Sequence, residues 1–394
     1  MPSLRTTRPP IWLLMMATIA SQLALTIYLP ALPSIAQHFG VPYGTAQLTL
    51  SIYLLAFAFA QLAVGPLSDR IGRRPVLLGA LAIFVAASIA CALAVSIEML
   101  IGARLAQACG ACGGVVLGRA IVRDSRSTQE APRAMGYMAS GMALGPALAP
   151  LLGGQVLVLF DWRATFWLTA IVGAVVLVLM ILILGETAPR QKTATSWLRG
   201  LLEGFAIVLR SRRFVGLMIA ATSASAAFNI FFSGGPILLI NVMGISAALF
   251  GWYTLAWAGN FVLGSLLQTR LQGFIRSINL IAIGQLVLVI GALGMVVTAL
   301  AGYVAPLALI IPLILMGLGN GLNMPNAMAN ALTAVPGNHV GAASALMGFV
   351  QMLAAAALTV LMGYVPHETQ LNIGLGIALV GLAGLAGWAM LVRR

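Results

Sequence analysis

Twelve apolar segments, each more than 20 residues long, follow one another from Ile11 to Val392 with only short interruptions. They occupy 11–36, 44–65, 75–95, 98–120, 133–157 and 163–185, then 214–240, 248–268, 275–301, 305–333, 339–364 and 371–392. About 20 apolar residues is the length of an α-helix that crosses the hydrocarbon layer of a bilayer. Composition closes the other routes. Hydrophobic residues make up 61% of the 394 residues and charged ones 7%, against about 25% charged in a soluble domain. Such a chain cannot cover itself with polar surface in water. A soluble enzyme, a nucleic-acid-binding module and a disordered chain are excluded. Arg5, Arg8 and the run from Ile11 resemble a signal peptide, but the run reaches Ala36, too long for a signal core. The expectation is an all-α integral membrane protein with 12 transmembrane helices in two six-helix bundles.

Charge gives the orientation. Of the 21 Lys and Arg, Arg104 lies inside a segment and Arg163 alone falls on one side; the rest fall on the other. Lys and Arg accumulate on the cytoplasmic side. Both termini are therefore expected in the cytoplasm, as an even number of spans requires. The longest connection lies midway. It divides the chain into an N-terminal bundle (1–186), a linker (187–213) and a C-terminal bundle (214–394). Within the linker, Leu198, Leu201, Leu202, Phe205 and Val208 share a helix face, the pattern of a helix lying on the membrane surface. The two halves show weak symmetry: Gly65 to Arg74 follows the second segment, and Gly264 to Arg276 follows the eighth. Paired halves point to a transporter with its substrate site between them.

Three motifs carry more. The loop Gly65-Pro66-Leu67-Ser68-Asp69-Arg70-Ile71-Gly72-Arg73-Arg74 combines turn-forming glycines with an acid among arginines. The fourth segment carries Arg104, Gln107 and Gly110. The fifth reads Gly141-Met142-Ala143-Leu144-Gly145-Pro146-Ala147-Leu148-Ala149-Pro150-Leu151-Leu152-Gly153-Gly154. Its glycines permit close helix approach, and Pro146 and Pro150 bend a helix.

These strings resemble motifs of the major facilitator superfamily. The first is similar to its G-x-L-(S/A)-D-R-x-G-R-(R/K) loop. The second is similar to R-x-x-Q-(G/A)-x-G, and the third to the kinked fifth helix of its drug antiporters. Tyr28-Leu29-Pro30-Ala31-Leu32-Pro33, Ala149 to Gly154 and Arg119 to Asp124 further resemble the Bcr/CflA-type (bicyclomycin/chloramphenicol resistance) multidrug efflux subgroup. The resemblance implies the major facilitator fold, rocker-switch alternating access and proton-driven export of drugs or small metabolites across the bacterial inner membrane. It makes Gly65, Asp69, Arg70, Gly72, Arg73 and Arg74 a conformational latch. It makes Gly141, Gly145, Pro146, Pro150 and Gly153 the antiporter-motif kink, sealing the halves.

One departure stands out. Thr26 occupies the place where that subgroup usually has a proton-coupling Asp. All eight carboxylates lie in loops or at segment ends. Arg104 is the basic residue buried in a span, where a charge is costly and functional by default. It either bonds neighbouring helices or meets the substrate, and a lone positive site would prefer an anionic or zwitterionic compound. The candidate substrate-binding residues are Thr26, Tyr28, Arg104, Gln107, Asn229, Asn320 and Asn323, with Trp257 as a possible stacking partner. Asn323, Asn326 and Asn330 share a helix face, for substrate or for helix–helix bonding.

Cys109 and Cys112 have C-x-x-C spacing, which reads as helix packing rather than a redox or metal pair. His38, His339 and His367 are expected to be solvated and to form no metal site. No cofactor, catalytic constellation or nucleotide-binding loop is expected, so drive comes from an ion or substrate gradient. The expected partners are a small-molecule substrate, protons and the lipid bilayer, with no nucleic acid; the chain is expected to act as a monomer. The competing readings are a proton-independent facilitator or exporter of an endogenous anionic metabolite or siderophore, and a non-transporting receptor.

Overall fold

The computed structural model describes residues 8–127, 129–187 and 197–392; part of the connection between the halves lies outside these. The described chain is helical. In the first half, α1 (Ile11–Thr26) and α2 (Leu32–Phe39) are joined by a tight 3-10 turn at Leu29–Ala31. They are followed by α3 (Tyr43–Ile71), α4 (Arg73–Ala92), α5 (Ile97–Ser125), α6 (Ala131–Leu159) and α7 (Trp162–Ile183). The connecting helix is α8 (Trp197–Leu209). The second half holds α9 (Arg212–Pro236), extended by a wide turn at Ile237–Val242, then α10 (Ala247–Leu271), α11 (Ser277–Leu300), α12 (Ile310–Thr333), α13 (Val340–Tyr364) and α14 (Leu371–Leu391).

Helices are the form lipid allows, because each backbone group must be bonded within its own segment. Their starts carry local signals. Ser96, Asp161, Ser211 and Ser246 each accept a backbone N–H from the first turn of the helix they precede. Tyr28-Leu29-Pro30 breaks the first span, which runs on to Phe39. Pro146 and Pro150 both sit inside α6, which continues through them for 29 residues.

Among the described residues, eleven helices are long and apolar enough to cross a membrane, counting α1 with α2 as one. The 25-residue α10 falls below that threshold of hydropathy, because Trp252, Tyr253, Asn260 and Gln268 dilute its apolar residues. It is nevertheless packed along α6 and α12. In α8, Val208 is buried and packs into the second half, whereas Leu202 stays 57% exposed.

The core has an asymmetric layout. At the end that carries Arg163, one apolar cluster includes residues of both halves: Ile27, Tyr28, Leu32 and Phe166 with Phe231, Leu238, Phe250 and Trp257. Toward the arginine-rich end the core splits. Leu14, Phe84, Val115 and Ile121 centre one cluster in the first half; Phe214, Ile281, Ala327 and Leu346 centre another in the second. The halves also meet along two helix pairs, α3 with α13 and α6 with α10.

Candidate functional site

Arg104, one of the largest fully buried side chains, sits on α5. Its Nη1 donates to the Ala24 carbonyl of α1 at 2.9 Å and to Gln107 Oε1 at 2.5 Å. Its Nε reaches the Thr49 carbonyl of α3 at 3.4 Å. The guanidinium lies over two tyrosine rings, 4.2 Å from the Tyr28 centroid and 4.1 Å from that of Tyr53. Among the described residues no carboxylate pairs with it. Desolvating a lone charge is expensive. Here ring quadrupoles, at up to about 2 kcal/mol each when desolvated, and carbonyl dipoles take the place of an acid. Nη2 has no hydrogen-bond partner. Gln107 passes the network on to Ser88 at 2.8 Å, and Tyr28 OH meets Thr49 Oγ1 at 3.2 Å.

The structure thus brings Tyr28, Arg104 and Gln107 together. Thr26 donates its hydroxyl to the Gln22 carbonyl of its own helix at 3.2 Å, and among the described residues no hydrogen bond joins it to Arg104. Thr49 and Tyr53, which complete the box, lie on α3. Their signal was faint, because Thr45, Gln47, Ser51 and Gln61 are polar in the same span and nothing in the sequence sets these two apart.

The amides of α12 form a second group. Asn320 and Asn323 donate to the carbonyls of Ala224 and Ala220 on α9, each at 3.0 Å. Gln285 of α11 joins them at the Ala220 carbonyl, 2.9 Å away. These amides tie helices together, yet Asn320 Oδ1, Asn323 Oδ1 and Trp257 Nε1 remain buried without partners. Buried polar atoms are normally satisfied; these three find no partner among the described residues. Trp257 is stacked on Phe231 at 5.5 Å and is edge-on to Phe228. Asn229 is half-buried and donates to Ser225 of its own helix at 2.8 Å.

At the arginine-rich end, the loop after α3 forms a closed charge network. Arg73 is buried and bonds Asp69 at 2.7 Å, Asp124 of α5 at 2.8 Å and Ser68 at 2.5 Å. Glu186, which follows α7, accepts the backbone N–H of Arg73 at 2.9 Å and of Arg74 at 3.3 Å. A carboxylate there complements the positive end of α4. Gly72 stands at φ +115° with Glu186 close against it, so a side chain there would be strained and would also displace that carboxylate. Arg74 donates to the Leu184 carbonyl at 2.7 Å. Arg70 is exposed and makes no hydrogen bond or ion pair among the described residues. Every partner named here belongs to α3–α7 or the residues beside them, so in this state the loop braces the first half and does not bridge to the second.

Asp124 has 18% of its side chain exposed and Asp69 has 44%. The more exposed pair is worth about 0–1 kcal/mol, whereas a hydrogen bond to a buried charge is worth about 1.5–3 kcal/mol. Asp124→Asn is therefore expected to lower the melting temperature of the purified protein more than Asp69→Asn. Equal shifts would show that burial does not rank the two partners.

Glycines shape the α6 seam. Gly141 approaches Ile19 of α1, and Gly145 packs directly on Gln22. Gly153 lies on the Ile27 carbonyl, and Gly154 lies on the Ala247 carbonyl of the other half. Pro146 and Pro150 are in the same stretch. At the Arg163 end, Tyr43 OH donates to the Ser233 carbonyl at 2.9 Å, and Gln47 Nε2 donates to the same carbonyl at 2.6 Å. The sequence reading missed this polar clasp. It also expected His367 to be solvated; His367 is instead buried at 8% exposure beside the clasp.

A buried polar box among membrane-length helices, with two helix groups joined at one end, is the architecture of a membrane transporter. The sequence comparisons agree. The family model of the Major Facilitator Superfamily matches residues 14–359, and the chain belongs to that superfamily. An uncharacterized MFS-type transporter YdgK of Bacillus subtilis is 31% identical over 360 residues, covering 89% of this chain and 88% of the relative. Multidrug resistance protein D of Escherichia coli is 28% identical, covering 97% of this chain and 95% of the relative. A chloramphenicol resistance protein of Pseudomonas aeruginosa is 31% identical, covering 76% of this chain and 71% of the relative. Among solved structures, a POT family transporter in complex with 5-aminolevulinic acid matches with TM-score 0.79 at 14% identity, covering 96% of this chain and 94% of that one. That likeness bears on the fold alone. The protein is a multi-pass inner-membrane transporter, not an enzyme, and its relatives include drug-efflux members of the superfamily.

Proposed function

We propose that this protein exports small organic compounds by proton antiport with alternating access. Residues 1–186 and 214–394 act as the rocking bundles, 187–213 as the linker, and α10 as the twelfth span. The arginine-rich end, with both termini, faces the cytoplasm, and the transporter works as a monomer. The observation that carries the reading is the divided core: one shared cluster at the Arg163 end, separate clusters at the arginine-rich end. Two bundles that share one apolar core at one end and keep separate cores at the other match one half of a rocking cycle. The drug-efflux names of several relatives supply the direction and substrate class. Tyr28, Arg104 and Gln107, with Asn229, Asn320 and Asn323, are the residues proposed to meet the substrate when the box opens.

Proteoliposomes loaded with a pH dye test this. Chloramphenicol serves as the neutral probe beside one cationic and one anionic panel. Substrate-dependent proton movement is the expected result. Transport without proton movement would remove the antiport reading. A second reading, a proton-independent facilitator of an anionic metabolite, is favoured by one observation: Arg104 has no acid partner, and Thr26 offers none.

A further inference from the structure

The clasp between the halves at the Arg163 end contains a single imidazole. His367 lies in the turn between α13 and α14, 8% exposed, and its Nε2 has no hydrogen-bond partner. That nitrogen lies 3.0 Å from where a Cβ on Gly234 would stand. Gly234 adjoins Ser233, which receives Tyr43 and Gln47 from the opposite half. The Tyr43 and His367 rings are 6.2 Å apart and nearly perpendicular. Behind them α3 and α13 touch at Gly44 and Gly363, where a Cβ on Gly44 would stand 2.5 Å from the Gly363 carbonyl. No side chain larger than hydrogen fits there, so the two helices are in close contact behind the ring.

We infer that His367 is the proton-binding group that opens this clasp, a pH-sensitive gate at the Arg163 end. The inference deepens the alternating-access reading and rests on it for its place in the cycle. The physical case is desolvation. A protonated imidazole facing Gly234 has a buried N–H without an acceptor and a positive charge without a counter-ion. The titratable groups nearby are Tyr43 on α3, and Tyr364 and Glu368 on the same turn. Tyr364 and Glu368 are exposed. The α9 segment 233–236 and the first turn of α14 carry none.

Burial lowers the proton affinity of His367 below the ordinary histidine value, opposed in part by a hydrogen bond with the Val365 backbone. Once the clasp parts, water solvates the ring and that affinity recovers. The open form therefore binds the proton more tightly, and a fall in pH on that side favours opening. Closing the clasp buries the ring again and returns the proton to the solution on the same side, so the histidine sets how the gate responds to pH there.

Hydrogen–deuterium exchange on the full chain in nanodiscs tests this without any substrate. Exchange of the peptides around 43–51, 233–245 and 362–372 is compared at about pH 7.5 and about pH 5.5, spanning the histidine range, after correction for intrinsic rates. The expected result is faster exchange at the lower pH, rising toward a ceiling of about tenfold, because an ordinary histidine affinity lies about one unit above the lower pH. In His367→Gln and His367→Asn this difference should vanish while exchange at the higher pH stays as in the wild type. An equal pH response in both variants would overturn the assignment, as would no response in the wild type. Failure of proton-coupled transport alone would remove the antiport reading and leave this result standing.

Discussion

Gly154→Ala is expected to hold the Arg163 end open, whereas Gly153→Ala one residue away is expected to weaken the fold. The difference lies in what each methyl group meets. At Gly154 it meets the Ala247 carbonyl of the other half, a contact that exists only while the halves are closed at that end. At Gly153 it meets the Ile27 carbonyl of α1, within the same half and in every state. Overpacking of this kind costs about 1–3 kcal/mol, and about 1.4 kcal/mol is a tenfold change in an equilibrium. Gly154→Ala should therefore raise deuterium exchange around 233–250 roughly tenfold or more, with little change in melting temperature. Gly153→Ala should lower the melting temperature by several degrees, the scale set by about 1 kcal/mol or more of destabilisation. If Gly154→Ala left exchange at that end unchanged, the closed contact would not be limiting.

The second large effect concerns Arg104. Arg104→Ala removes the side chain that joins α1, α3 and α5 and leaves a gap between Tyr28 and Tyr53. The expected cost is about 2–5 kcal/mol, the range for large-to-small changes in a core. Arg104→Met fills much of that volume without a charge. Apolar replacements of buried charges are often neutral or stabilising, so its melting temperature should stay near that of the wild type. Transport by Arg104→Met separates the two roles of this residue. Loss of transport is expected, because the charge and the free Nη2 are what the substrate is proposed to meet. Full activity in a stable Arg104→Met would reduce Arg104 to a structural tie.

The latch loop shows how far a motif reaches. Asp69, Arg73 and Arg74 were legible as a charge cluster from their spacing, and Asp69 does pair with Arg73 across the Gly72 break between α3 and α4. The partner that caps α4, Glu186, lies more than 100 residues away. Nothing in its neighbourhood marks it, since a carboxylate after a span looks like any loop acid. Asn320 and Asn323 were visible as amides on a helix that should shun them, but whether they bond α9 or a substrate depends on the distance between two helices. The structure answers for the nitrogens, which bond α9, and leaves the oxygens open.

By itself the sequence determined that this chain lives in a bilayer, where most of its spans begin and end, which end collects arginine, and which superfamily it resembles. Those properties are local: hydropathy and charge act residue by residue against lipid and water, whatever the neighbours do. Only the tertiary structure decided that Arg104 rests on carbonyls and tyrosine rings, that His367 is buried, and that the halves are closed at the Arg163 end. These follow from packing between helices far apart in the chain. Backbone carbonyls do much of that packing, and which carbonyl meets which helix is not written in the order of residues.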